Sequence, residues 1–409
     1  MAESFTLSHA RLISLSEAGT IPRGYIRISD GYIEDIGSMD AYVAKGGEYE
    51  FNLDGKTILP GLIDSHCHLI SENAYPITES YIARSVIAGV HAARWALEDG
   101  ITSVRDVGCR HLGIYALREA VISGQVSGPR FQTAGRPISG TGIMETWRSY
   151  SHDGIDEILR GVRKEWQAGA NWIKLSISDG RWRDKSGWQD TPLLNMEEIN
   201  SAVEETHRKD MRVVCHVDGP VGARLAIQAG VDSVEHGVYI PDELLQPMAE
   251  NGIFLVPTVW IYSTRDLYVF KADINYLNEL HADTINRARS AGVKIAAGVD
   301  CSYSDCPPLE GMVNELKVLV ACGLSNMEAI ESATSRGAEL MGWEEYLGSL
   351  TPGKLADMVV VDGDPIDDIQ NLNRIVLVFQ QGQIVANKLE GKAIIDPLPK
   401  PSLLPSWMN

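Results

Sequence analysis

Positive charge is what this chain has least of relative to its size: 36 Lys and Arg against 55 Asp and Glu give a formal net charge of −19 over 409 residues. Such a field opposes binding to nucleic acid phosphates and to anionic membrane surfaces, so neither is expected as a partner. Cysteine is also scarce. The six present form no CxxC pair and are too sparse for a disulfide scaffold, which predicts reduced thiols in packed positions. No apolar run is long enough to span a bilayer, and the N-terminal "MAESFTLSHARLISLSEAG" is broken by polar residues, unlike a secretory leader. A soluble, cytoplasmic protein is expected. The GxGxxG turn of dinucleotide-binding folds is missing after the early strand candidates, which disfavours an open doubly wound sheet.

What is present is alternation. From residue 57, short β-branched runs such as "TILPGLIDSHCH", "GITSVRDVG", "NWIKLSIS", "MRVVCHVDG", "VDSVEHG", "IFLVPTVW" and "VKIAAGVD" alternate with helix candidates at 81–99, 155–168, 196–209, 220–229, 241–250 and 274–290. With "GPRFQTAGRPIS", eight strand signals predict an α/β fold of the (β/α)8 barrel type over 57–349. The two ends read differently. Residues 1–56 and 350–395 carry short alternating segments with turn residues between them, the pattern of hairpins, and predict one small β-sandwich built from both termini. The stretch 396–409 is a Pro-rich tail that cannot continue a sheet.

Only ten histidines occur, and two of them, His66 and His68, stand two positions apart at the end of the first strand candidate. Side chains alternate along a strand, so these two share a face while Cys67 takes the other. Later strand ends offer Lys174, His216, His236 and Asp300. In a barrel these six converge at the C-terminal mouth, where imidazole and carboxylate donors suit a divalent metal, zinc above all. Each has an ordinary alternative: a hydrogen-bonded histidine, a salt-bridged Lys174, an Asp300 capping a turn. Lys174 as an ammonium has no lone pair to offer. Neutralised by burial, its amine can take up carbon dioxide as a carbamate able to bridge two metals. By the same alternation Cys67 and Cys215 face the helices as packing residues.

"LPGLIDSHCHL", with "GSLTPGKLADMVVVDGDP" and His216, His236 and Asp300 in order, resembles the amidohydrolase superfamily over essentially the whole chain. "SGPRFQTAGRPISGTG", "GANWIKLS" and "SVEHG" are most similar to its branch of imidazolonepropionase-like proteins, Xaa-Pro dipeptidases and ochratoxin-type amidases. The resemblance implies that His66 and His68 hold the more buried of two metals and His216 and His236 the second. Carbamylated Lys174 then bridges them, and Asp300 ligates and handles the proton. It further implies a homo-oligomer. Dipeptidase-like members carry Gly-Gly-His after the third strand, where this chain reads "GTGIMETWRSY", with Ile143 and Met144 in place of glycine and histidine.

The expected chemistry is hydrolysis of a C–N bond of a small molecule by a metal-bridging hydroxide, with Asp300 as proton shuttle. Trp147, Arg148, Arg181 and Trp182, with Arg183, Trp188 and Tyr262, make the expected mouth aromatic and cationic, suited to a planar or anionic substrate. The alternatives are a mononuclear deaminase or cyclic amide hydrolase, and a catalytically silent assembly or binding protein.

Overall fold

A computed structural model describes residues 4–70, 77–142, 150–178, 191–264, 274–303 and 306–389. Seven short strands run in chain order: Leu62–Cys67, Ile101–Asp106, Arg130–Thr133, Trp172–Ser176, Arg212–Val217, Ser233–His236 and Phe254–Val256. Neighbours pair in parallel, the first three in one sheet and the last four in a second that also holds Ile138–Ser139 and Tyr150–Ser151. These strands are buried almost throughout although they carry many polar residues, several of which pair with one another inside. The Asn171 N–H donates to the Thr133 carbonyl at 2.9 Å and links the two sheets.

Helices fill the connections where the sequence placed them, among them Ile155–Ala168, Met196–His207, Pro220–Ala229 and Ile274–Ser290. Local chemistry sets their ends. Asn195 and Glu198 close a capping box at one start, Pro220 opens another, and Gly169 and Gly230 supply the left-handed residue after two of the C-termini.

The eighth strand signal, "VKIAAGVD", is a correction: it forms no ladder, only an isolated bridge of Ile295 to Leu255 and separate hydrogen bonds. The Ser65 N–H reaches the Ala297 carbonyl at 2.9 Å, and the Val299 and Asp300 N–H groups both reach the His66 carbonyl, at 3.0 and 2.7 Å. Regular pairing breaks because Asp300 is left-handed (φ 52°) and Gly298 lies against the His66 backbone, where a Cβ would stand 2.6 Å from His66 Cβ.

Both ends of the chain enter one eight-stranded sheet. Ser4–Ile13, Thr20–Ser29, Tyr32–Ser38, Tyr49–Asn52 and Thr57–Pro60 come from the N-terminal side, and Met358–Val361, Ile375–Gln380 and Gln383–Asn387 from the C-terminal side. The seam is Thr57–Pro60, parallel to the first strand and antiparallel to Met358–Val361, and it runs directly into Leu62–Cys67. A second link is the buried Arg130 guanidinium, which grips Asp357 at 3.0 and 3.1 Å and Gln381 at 3.2 Å. All six cysteines are free thiols, and Cys67 and Cys215 sit in the main apolar cluster. Among the described residues no helix is long and apolar enough to cross a membrane. The tail 396–409 lies outside the described residues.

Candidate metal centre

The centre starts with the strand Leu62–Cys67, whose entry is fixed by a buried acid. Asp64 accepts the N–H groups of His66 (3.0 Å) and Val299 (3.1 Å) and the Tyr303 hydroxyl. Burial pushes its carboxyl up to about 6 against the pull of these donors.

His66 Nδ1 lies 2.6 Å from Glu235 Oε2. Both Glu235 oxygens also accept Arg105 Nη2 at 2.9 Å, and Ser233 Oγ donates to Oε1 at 2.6 Å. Burial alone would raise the Glu235 carboxyl, but the Arg105 guanidinium and the His66 bond outweigh it and hold it at about 2. An ionised Glu235 can only accept, so His66 Nδ1 carries a proton toward it and Nε2 is the ring nitrogen turned to the centre. The same logic holds for His68, whose Nδ1–H donates to the Gly108 carbonyl at 2.9 Å.

Asp300 Oδ1 stands 3.4 Å from His66 Nε2 and 3.2 Å from His68 Nε2. With both Nδ1 atoms engaged outward, two Nε2 nitrogens and a carboxylate oxygen converge on one point. A cation suits that point, and imidazole nitrogen with carboxylate oxygen is a donor set for zinc and similar divalent ions. The residues therefore fit a metal.

His236 completes the cluster through strained backbone. At φ 67° it is left-handed, which reverses the side-chain alternation of its strand and lets Glu235 and His236 face the same interior. Its Nδ1 lies 2.7 Å from Thr258 Oγ1, on another left-handed residue (φ 49°). Burial, with His216 adjacent, keeps the His236 ring far from protonation. Donor atoms of His66, His236 and Asp300 all lie within 4.8 Å of one another.

His216 packs against His236 at 4.5 Å between ring centroids. Its Nε2 is 3.0 Å from Asp218 Oδ2, while Tyr262 donates its hydroxyl to Asp218 Oδ1 at 2.8 Å, leaving Nδ1 as the ligand-capable nitrogen. Lys174 is buried beside this group. Desolvation pulls its ammonium down in pKa, and the nearby Glu235 and Asp300 carboxylates counter only part of that.

All six expected ligand positions are thus brought together. Of the expected substrate contacts, Tyr262 packs against His236 with tilted rings, centroids 5.2 Å apart. Trp147, Arg148, Arg181, Trp182, Arg183 and Trp188, like Ile143 and Met144, lie outside the described residues. Sequence reasoning passed over Arg105, Asp218, Glu235 and Thr258, which orient the histidines. Asp218 had a usable signal, standing two residues after His216 on the same strand face. Glu235 had none, because alternation assigns it to the opposite face from His236.

Residues 57–385 match the model of the amidohydrolase family. The chain is 28% identical to ochratoxinase of Aspergillus niger, covering 94% of this chain and 85% of that protein. It is 24% identical to imidazolonepropionase of Geobacillus kaustophilus, over 93% and 94% of the two chains. Among solved structures it resembles a Xaa-Pro dipeptidase with methionine bound in its active site, at 30% identity and a TM-score of 0.80, covering 93% of this chain and 99% of the other.

Proposed function

Because this chain belongs to the amidohydrolase family, whose matched relatives act on C–N bonds, we propose that it is a metal-dependent hydrolase of a small, aromatic or anionic C–N substrate. One observation carries the metal reading: the Nε2 atoms of His66 and His68 converge on Asp300 Oδ1, with each ring turned by a second partner. We assign His66 and His68 to one zinc ion, His216 and His236 to a second, Lys174 as its carbamate between them, and Asp300 as a ligand. A divalent ion held there supplies two things, a water whose pKa falls to about 7 and polarisation of the scissile carbonyl.

The chain's own residues supply the rest. Asp300, fixed through its N–H to the His66 carbonyl, accepts the proton of the attacking water and returns it to the leaving nitrogen. Glu235 and Arg105 keep His66 in one tautomer throughout, Asp218 does so for His216, and Thr258 holds the orientation of the His236 ring. Lys174, driven toward its neutral amine, is suited to take up carbon dioxide. Tyr262, beside His236, lines the space where substrate enters.

We further propose that the parallel strands close as a (β/α)8 barrel over 57–349. The bonds from Asn171 to Thr133, Ala296 to Leu255 and Ser65 to Ala297 support that closure. On this reading 1–56 with 350–395 form the β-sandwich, with Thr57–Pro60 as the seam. The enzyme is proposed to be cytoplasmic and homo-oligomeric with a small-molecule partner, since its charge opposes nucleic acid and anionic membranes.

Metal analysis of the purified chain, followed by a hydrolysis panel of N-acyl amino acids, dipeptides, aryl amides, carbamates and cyclic imides, tests this reading. Two zinc ions per chain and turnover of N-acyl or aryl amides are expected; a metal-free chain with no activity on any member refutes it. A mononuclear deaminase or cyclic amide hydrolase is the second reading. The compact trio of His66, His236 and Asp300 favours it, and a single tightly held ion would select it.

A further inference from the structure

We propose that Glu315, on the helix Pro308–Ala321, is a positioning residue for the His216–His236 half of the centre, acting through the segment Thr258–Tyr262. Glu315 is fully buried, and its two oxygens divide two adjacent backbone amides between them: Val259 N–H at 3.0 Å and Trp260 N–H at 2.7 Å. These are the first residues of the short helix Val259–Thr264. The clamp therefore grips the chain immediately after the left-handed Thr258.

Both second-half histidines are oriented from this gripped segment. Thr258 Oγ1 meets His236 Nδ1 at 2.7 Å. Four residues on, the Tyr262 hydroxyl meets Asp218 Oδ1 at 2.8 Å, and Asp218 Oδ2 meets His216 Nε2 at 3.0 Å. Moving the Val259–Trp260 amides moves both contacts at once. The Nδ1 partners of His66 and His68, Glu235 and the Gly108 carbonyl, lie outside this clamp, and the Asp64 and Asp300 carboxylates of that half act on Glu315 only through space.

An ordinary buried acid of this chain looks different. Glu165, also buried, accepts the Tyr115 hydroxyl at 2.8 Å and is paired with the Arg136 guanidinium at 2.6 Å. Among the described residues Glu315 has the two amides and no ion pair. Burying an acid with no cation to pair with is costly whether it stays charged or takes up a proton, and Glu315 bears that cost at a point where it holds two amides. Here it holds a strained turn that aims two histidines.

The inference rests on the two-metal reading, and the test separates the two. Glu315→Gln keeps the volume but replaces one acceptor by an NH2 group that confronts an N–H. Zinc binding by the full chain is measured in graded chelator for wild type, Glu315→Gln and Glu165→Gln, with histidine-selective 15N spectra of the metal-free proteins. In Glu315→Gln one ion binds as in wild type and the other about 10–100-fold more weakly, the usual size of an outer-partner loss. Its His216 and His236 signals shift while those of His66 and His68 hold. Glu165→Gln lowers Tm and changes neither ion.

Equal retention of both ions, or equal weakening of both, overturns the role of Glu315. A wild type holding fewer than two ions refutes the two-metal reading instead, and the histidine spectra then decide on Glu315 by themselves: unchanged His216 and His236 signals overturn it. Should the Gln variant not accumulate, Glu315→Asp keeps both acceptors but draws them back by one methylene, and the same pattern is expected.

Discussion

The two halves of the centre are held by opposite kinds of carboxylate. Under His66, Glu235 is matched by the Arg105 guanidinium and lies at about 2. On the helix Pro308–Ala321, Glu315 accepts two backbone amides, and burial, with the Asp64 and Asp300 carboxylates adding to it, drives it up to about 8. The first half is therefore charge-compensated and fixed over a wide pH range. The second is built from the Asp218 carboxylate, two hydroxyls and a capped, strained turn, with no guanidinium among these partners. The difference teaches that a site symmetric in its ligands need not be symmetric in what secures them.

The largest expected effect comes from breaking the compensated half. Glu235→Ala leaves Arg105 buried and unpaired, and we expect a loss of about 3–5 kcal/mol in denaturant unfolding together with loss of metal. A loss no greater than that of Glu315→Gln would erase the contrast. Next is Asp300→Asn, at the residue whose Oδ1 faces the first half and to which we assign the proton transfer. Turnover should fall about 10²–10⁴-fold with metal content kept. Near-normal rates in the purified variant would remove its role as proton shuttle.

Lys174→Ala tests the link between the halves. Zinc analysis should show loss of the paired ions, with partial recovery of activity when a short carboxylic acid is added. Full occupancy by both ions would exclude a bridging carbamate.

The smallest effect is a pH dependence, read as thermal stability of the metal-stripped chain. Glu235 is depressed from its ordinary 4.5, so its stabilisation is complete above about 4.5 and is lost as pH falls toward about 2. Glu315 is raised from 4.5, so the folded state binds its proton more tightly than the unfolded one. Its contribution therefore declines as pH climbs from about 4.5 to about 8. Glu315→Gln should flatten the alkaline decline and leave the acid limb; identical profiles for the two proteins would show that Glu315 does not titrate in this window.

Much of this was legible in the sequence. Period-two alternation placed His66, His68 and His216 on one interior, and the helices at 155–168, 220–229 and 274–290 follow from apolar periodicity and end signals. What escaped was backbone handedness. The left-handed turns at His236, Thr258 and Asp300 carry no sequence mark, since none is glycine, yet they redirect Glu235, supply a partner to His236 and end the eighth strand. Long-range partners such as Glu315 were equally hidden, because its amides lie 55 and 56 residues away and no local pattern joins them.

The seam strand Thr57–Pro60 also sets an order of events. Its Thr57 hydroxyl bonds to the Gly363 carbonyl, 306 residues further along, and its antiparallel neighbour is Met358–Val361. A nascent chain therefore displays the Thr57–Pro60 strand with one flank unpaired until Met358–Val361 has been made. Contacts of such long range close late in folding. A stalled chain ending before residue 358 should therefore leave Thr57–Pro60 more open to hydrogen exchange than the released chain does.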